Sequence, residues 1–188
     1  MVDKKIILAS KSPRRKELLE GLEIPFEIRT KEVEEIYPND LAPLKVAPFL
    51  AELKAQPLIS SLKEGEILLT SDTVVVWNNE ILGKPKDEND AKEMLLKLSG
   101  TIHEVITAVH MRSLKKSVTF SNSTKVHFTE ITEKEILHYI EKYKPFDKAG
   151  SYGIQEWIGF IGIKKIEGCY FSVMGLPVHD VYQQFLSF

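Results

Sequence analysis

Short apolar runs alternate with charged, helix-opening segments along the whole chain. Ile6-Ile7-Leu8-Ala9 is a continuous apolar run of strand length, and it predicts a buried strand. Ser12-Pro13 follows as an N-cap with proline at the first helical position, Leu18, Leu19 and Leu22 give that helix an apolar face, and Gly21 ends it. Phe26 and Ile28 alternate with polar neighbours, as in a strand. Residues 41–62 are helical in pattern, but Pro43, Pro48 and Pro57 predict interruptions, with the clearest helix over 49–56. Residues 66–77 hold two apolar runs, the second rich in β-branched residues, before an Asn78-Asn79 turn and a return strand at Ile81-Leu82.

A helix is predicted from about Asp87, with Ala91, Met94, Leu95 and Leu98 on one face and Ser99-Gly100 as its stop. Residues 102–112 and 117–128 read as strands joined by a turn. Thr132 and Glu135 form a capping box for a helix to about Lys142. Residues 144–152 read as a loop. Residues 160–166 and 170–173 are expected to form a hairpin through Glu167-Gly168, and Pro177 opens a last helix. Helices and strands mix without strict alternation, which predicts an α/β protein with a mixed sheet flanked by helices. With 188 residues the chain is expected to be a single domain over 1–188, built as two lobes around a cleft.

Composition narrows the partners. Hydrophobic residues make up 43% and charged residues 28%, as in ordinary globular proteins, and the formal net charge is −2. That balance argues against bulk attraction to nucleic acid. A single cysteine, Cys169, allows no internal disulfide and fits a reducing compartment; its apolar and aromatic neighbours favour a packed thiol over a nucleophile. Met1 to Lys5 leads into only a short apolar run, so no signal peptide is expected, and no stretch approaches the ~20 apolar residues of a membrane span. The expectation is a cytoplasmic protein.

Four places could carry chemistry. Ser10-Lys11-Ser12-Pro13-Arg14-Arg15 joins a strand to a helix, where free backbone N–H groups, hydroxyls and guanidiniums suit a phosphate; the plainer reading is a capped surface helix. Asp72, in Ser71-Asp72-Thr73, lies between apolar runs where an unpaired carboxylate is costly. It could hold a divalent cation, take a proton from an attacking water, or simply tie down a turn. Lys84, between Gly83 and Pro85, could neutralise phosphate, as could Lys54 on its helix, and Glu34-Glu35 could supply a second metal-binding carboxylate. The loop from Phe146 to Gln155 has small residues for close approach to a ligand, and the Gln155 amide could read a base edge. The five histidines show no metal-ligand spacing, and His103 fits a core or rim position.

Taken together, these segments resemble the Maf, or septum-formation, proteins. Residues 7–19 look like the family's opening motif. Glu34-Glu35, the helix ending in Lys54-Ala55, Ser71 to Val75, Gly83-Lys84-Pro85, Leu98-Ser99-Gly100 with His103, Asp147 to Gln155, and Met174 to Pro177 follow in the family's order. The resemblance implies an inosine-triphosphatase-like fold and a hydrolase acting on phosphoric anhydride bonds: a nucleoside triphosphate is cut to monophosphate and pyrophosphate, with a divalent metal, magnesium or manganese. It implies Asp72 as proton acceptor, with Arg14, Thr73 and Gln155 as substrate-site residues. Ser12, Arg15, Lys54 and Lys84 join them at the phosphates, and Glu35 joins Asp72 at the metal. Thr73 with Gln155 resembles the subgroup acting on dTTP and UTP, so a house-cleaning role on pyrimidine nucleotides, modified ones included, is expected, as is a homodimer. The competing reading is a nucleotide-binding cell-division regulator without turnover. The chain departs from the family's pattern at Thr101-Ile102, at Ser172, and at Glu156-Trp157, where glycine usually follows the glutamine.

Overall fold

The computed structural model describes residues 4–188; residues 1–3, part of the opening stretch weighed for a signal peptide, lie outside the described residues. In chain order the elements are β1 (Lys5–Leu8), α1 (Pro13–Glu20), β2 (Phe26–Ile28), α2 (Pro43–Ala55), β3 (Glu66–Trp77), β4 (Glu80–Leu82), α3 (Glu88–Leu98), β5 (Ile102–Arg112), β6 (Ser117–Phe128), α4 (Glu133–Tyr143), α5 (Trp157–Gly162), β7 (Ile163–Glu167), α6 (Tyr170–Met174) and α7 (Val178–Ser187). The seven strands form one mixed sheet in the order β2-β1-β3-β5-β6-β7, with β4 paired to β3. The expected mixed α/β architecture is therefore what the chain adopts.

The chain divides into two compact units. The first holds the residues up to Asp72 together with Thr107–Asn122 and Gly175–Phe188; the second holds Thr73–Ile106 and Ser123–Met174. In the first unit β1 lies parallel to β2 and to the start of β3, Ile6 opposite Phe26 and Ile67. Parallel partners on both edges bury β1 completely from Ile6 to Leu8, which explains its unbroken apolar run. Ile7 and Leu68 pack with Ala55, Leu58 and Leu62 from the end of α2 and the 3-10 turn after it. Glu66, at the head of β3, is buried against Arg29. The guanidinium grips both carboxylate oxygens at 2.9 and 3.0 Å, and the Lys63 amide adds a third bond at 3.1 Å.

In the second unit β3 turns back through Asn78 and Asn79, both at positive φ, into antiparallel β4. The core gathers Val75, Leu82, Leu95, Leu98, Phe128, Ile136, Tyr139 and Tyr152. α3 is capped by Asp87 and α4 by the Thr132–Glu135 box, and each faces the core with residues at helical spacing.

Two expectations need correction. Pro48 does not interrupt its helix: α2 runs from Pro43 to Ala55 with Pro48 inside it, and it gives way to a 3-10 turn, Gln56–Ser61, only where Pro57 stands. Pro48 removes only the bond to the carbonyl of Leu44, an exposed residue that water can serve. The hairpin expected over 160–173 does not form: residues 157–162 and 170–174 are helical, and only β7 pairs, antiparallel, with β6. At Gly168 (φ +134°) the chain turns hard beside Thr124, whose hydroxyl accepts from the Cys169 amide at 2.9 Å and donates to its carbonyl at 3.3 Å. That contact diverts the strand into α6. Cys169 itself is half-buried.

Candidate active site

In the first unit the β1–α1 connection is built as its sequence suggests. Ser12 caps α1, Pro13 opens it, and the Ser10 hydroxyl accepts from the Ser12 amide at 3.2 Å. Arg14 and Arg15 follow in the first turn, both half-buried. Arg15 Nε donates to the carbonyl of Gly175 at 2.9 Å, and the Ser71 hydroxyl donates to the same carbonyl at 3.3 Å. One backbone oxygen thus orients both the arginine and the strand residue before Asp72. Burial lowers the Arg15 pKa, and Arg14 lowers it further, while Asp72 and Glu35 hold it up.

Asp72 ends the first unit's share of β3 and is buried. Lys54, in the last turn of α2, places Nζ 2.5 Å from Asp72 Oδ1 and 3.0 Å from Glu35 Oε1. Thr70 fixes this approach by donating to the Ala51 carbonyl at 2.6 Å, one turn before Lys54. Burial is the main influence on Asp72 and raises its pKa; Lys54 and Arg15 pull it back down. The result is a carboxylate out of water whose pKa is raised overall, with two cations opposing the rise. Glu35 rather than Glu34 reaches this cluster. Among the described residues no group of three or more histidine, cysteine or acidic side chains is placed to hold a metal.

Thr73, Lys84 and Gln155 belong to the second unit. Thr73 is half-buried and Lys84 exposed, on the loop after β4. The carbonyl of Gly83 accepts from the Gly150 amide at 3.0 Å, so the 83–85 loop is tied to the 147–155 loop. Gln155 Oε1 is buried and has no hydrogen-bond partner among the described residues. Buried polar atoms without a partner are uncommon, and Gln155 Oε1 shares that state with His103 Nδ1 and His110 Nε2. His103 is a neutral core histidine: it bonds the Tyr152 hydroxyl at 2.7 Å, and burial drops its pKa to about 3. Thr101, one of the departures from the family pattern, accepts from Trp77 Nε1 at 3.1 Å and donates to the Leu98 carbonyl at 2.9 Å, so it serves the core.

Sequence reading missed a second charged group. Lys148, almost fully buried, pairs with Asp147 at 2.8 Å and Glu156 at 3.1 Å, and the other Glu156 oxygen accepts from the Tyr139 hydroxyl. Its members sit at 139, 147, 148 and 156, a spacing with no local signature. The only available hint was a glutamate where the family has glycine.

Comparison with known proteins places this geometry. The Staphylococcus aureus Ham1 protein superposes with a TM-score of 0.51 at 14% identity over 98% of both chains, which defines the class by fold alone. The model of the family described as Maf-like protein matches residues 5–188. Curated relatives named dTTP/UTP pyrophosphatase include those of Flavobacterium johnsoniae, 52% identical over 95% of this chain and 92% of its own, and Christiangramia forsetii, 51% identical over 95% and 91%. The relative from Phocaeicola vulgatus, with the same name, is 49% identical over 96% and 94%. The chain belongs to the Maf-like protein family.

Proposed function

We propose that the chain, acting as one domain over 1–188, is a nucleoside triphosphate pyrophosphatase. It hydrolyses dTTP and UTP, and modified pyrimidine nucleotides of the same shape, to the monophosphate and pyrophosphate. The observation that carries this reading is the buried Asp72 carboxylate held by Lys54 with Arg15 nearby. The names of the relatives, at about half identity over nearly the full chain, support the reaction and the base class. Among the described residues no helix is long and apolar enough to cross a membrane. A cytoplasmic homodimer is part of the proposal, to be tested by fractionation and sedimentation.

Arg14, Arg15 and Lys54 offset the charge of the triphosphate, with Ser12 and the first turn of α1 adding donors, and Lys84 contributes a further cation from its loop. Asp72 accepts a proton from the water that attacks the α-phosphorus. The bond from that phosphorus to the bridging oxygen breaks, and pyrophosphate leaves with the electron pair. Such a reaction depends on positioning and on charge stabilisation.

Asp72 and Glu35 fit a divalent ion: two hard carboxylates already converge on one cationic point, the ammonium of Lys54. Magnesium or manganese is commonly held by one or two carboxylates plus substrate phosphates, and it would neutralise phosphate charge there. Thr73 follows Asp72 on β3 and is assigned to the nucleoside. Gln155 offers its unpaired carbonyl oxygen to N3–H of uracil or thymine, where cytosine presents an acceptor instead.

Pyrophosphate release should be measured from dTTP, UTP, CTP, GTP and ATP with magnesium or manganese, for wild type and Asp72→Asn. Release from dTTP and UTP, abolished in a folded Asp72→Asn variant, is expected. Binding without release from any nucleotide would instead make the chain a regulator, and undiminished turnover in Asp72→Asn would remove Asp72 from the reaction.

A further inference from the structure

Gln155 sits at the third position of a four-residue turn. The Glu156 amide closes that turn on the Gly153 carbonyl at 3.0 Å. The same two residues are joined a second time through side chains. The Gly153 amide donates to the Tyr139 hydroxyl at 3.1 Å, and that hydroxyl donates to the Glu156 carboxylate. The opposite Glu156 oxygen is held by Lys148, whose side chain is 9% exposed against 19% for Glu156. Behind the turn, α5 approaches so closely that a Cβ on Gly159 would lie 2.0 Å from the Ile154 carbonyl oxygen. The residues flanking Gln155 are therefore fixed from α4, from the 147–148 loop and from α5, while its own amide oxygen remains unpaired. The Gly153 amide and carbonyl, the Glu156 amide, and the Tyr139, Glu156 and Lys148 side chains are each partnered within the network.

We propose that Glu156, with Tyr139 and Lys148, is a positioning device for Gln155, and that it sets discrimination between bases presenting a ring N–H donor, uracil and thymine, and cytosine, which presents an acceptor. This rests on the reading of Gln155 as the residue that meets the base. A buried carboxylate bonded to a phenol and an ammonium is costly to assemble unless all partners are present. It returns that cost as a rigid turn, and an amide held in one orientation discriminates donor from acceptor far better than a mobile one. The glutamate after the glutamine, which departs from the family pattern, is in this view a functional substitution. None of the three side chains needs to touch substrate.

The test compares kcat/KM for UTP and CTP in wild type, Gln155→Ala, Tyr139→Phe, Glu156→Gln and the double variant Tyr139→Phe/Gln155→Ala, with thermal unfolding of each as the control for folding. Tyr139→Phe keeps the ring stacked in the core and removes only the hydroxyl link. The expected result is a fall of about tenfold in the UTP-to-CTP ratio for Gln155→Ala, the scale of one hydrogen bond to a base edge. Tyr139→Phe and Glu156→Gln should lower the ratio severalfold, through KM for UTP rather than kcat. In the Gln155→Ala background, Tyr139→Phe should then change the ratio no further. A collapse with Gln155→Ala but an unchanged ratio in folded Tyr139→Phe and Glu156→Gln overturns the positioning role and leaves the base-reading role standing. An unchanged ratio in Gln155→Ala overturns both. Additive losses in the double variant assign Tyr139 a general structural effect and also overturn the proposal.

Discussion

Glu66→Gln isolates one charge at the head of the strand that carries Asp72. In the folded protein Arg29 and the Lys63 amide pull the Glu66 pKa from its ordinary 4.5 down to about 2, against the opposing effect of burial. Each unit of that difference is worth about 1.36 kcal/mol of folding free energy, so the ionised carboxylate contributes about 3 kcal/mol at pH 7. The side chain is only 4% exposed, so solvent screening takes little from this figure. A depressed pKa means that the contribution is fully present above pH 4.5 and fades as pH falls toward 2. At pH 3.5 about 2 kcal/mol should remain. Glu66→Gln keeps the shape and a carbonyl for Arg29 but cannot ionise, so it should be less stable than wild type by up to these amounts at each pH. Urea unfolding followed by tryptophan fluorescence at pH 7, 5 and 3.5 measures the gap directly. A gap that stays constant across this range would show that the loss comes from packing, and the electrostatic account of the Arg29–Glu66 pair would fail.

Other perturbations reach the site itself. Lys54→Met should leave Asp72 buried with one cation fewer, lowering stability by about 3 kcal/mol and turnover severely; unaltered turnover would detach Lys54 from the chemistry. Arg15→Lys loses the planar donor that reaches the Gly175 carbonyl, and KM for UTP should rise more than kcat falls, as steady-state kinetics can check. Gly159→Ala places a methyl group on the Ile154 carbonyl oxygen and should cost at least about 2 kcal/mol in urea titration, a loss that a near-neutral result would contradict. Ser12→Ala removes a long capping bond of 3.5 Å to the Arg15 amide and should cost only about 0.5 kcal/mol, with a larger effect on phosphate binding than on melting temperature.

The features legible in the sequence were those written locally. The Ser12-Pro13 cap, the Thr132–Glu135 box and the Asn78-Asn79 turn each need only neighbouring residues, and each forms as expected. Asp72 was legible because a carboxylate between apolar runs must find partners; which partners it finds was not, since Lys54 and Glu35 reach it from α2 and a loop far along the chain. The choice between Glu34 and Glu35 needed the same tertiary information. The strand at 163–166 was read correctly, but 160–162 were misread as its start because Ile158, Gly159 and Gly162 face inward at helical spacing within a run whose composition equally suits strands. Glu156 could be noticed as unusual, but its pairing with Tyr139 and Lys148 exists only once α4 has packed.

The bond from Arg15 to Gly175 joins residues 160 positions apart, and the first unit draws on three separate stretches of chain, the last being Gly175–Phe188. During synthesis, Arg15 therefore leaves the ribosome long before the carbonyl that holds it. The second unit is likewise unfinished until Met174 has been added. The second unit is complete at Met174, before the first receives Gly175–Phe188, so the two do not mature in the N-terminal-first manner of sequential domains. A nascent chain interrupted before residue 175 lacks the carbonyl that anchors Arg15, so this corner of the first unit can form only after that residue has emerged.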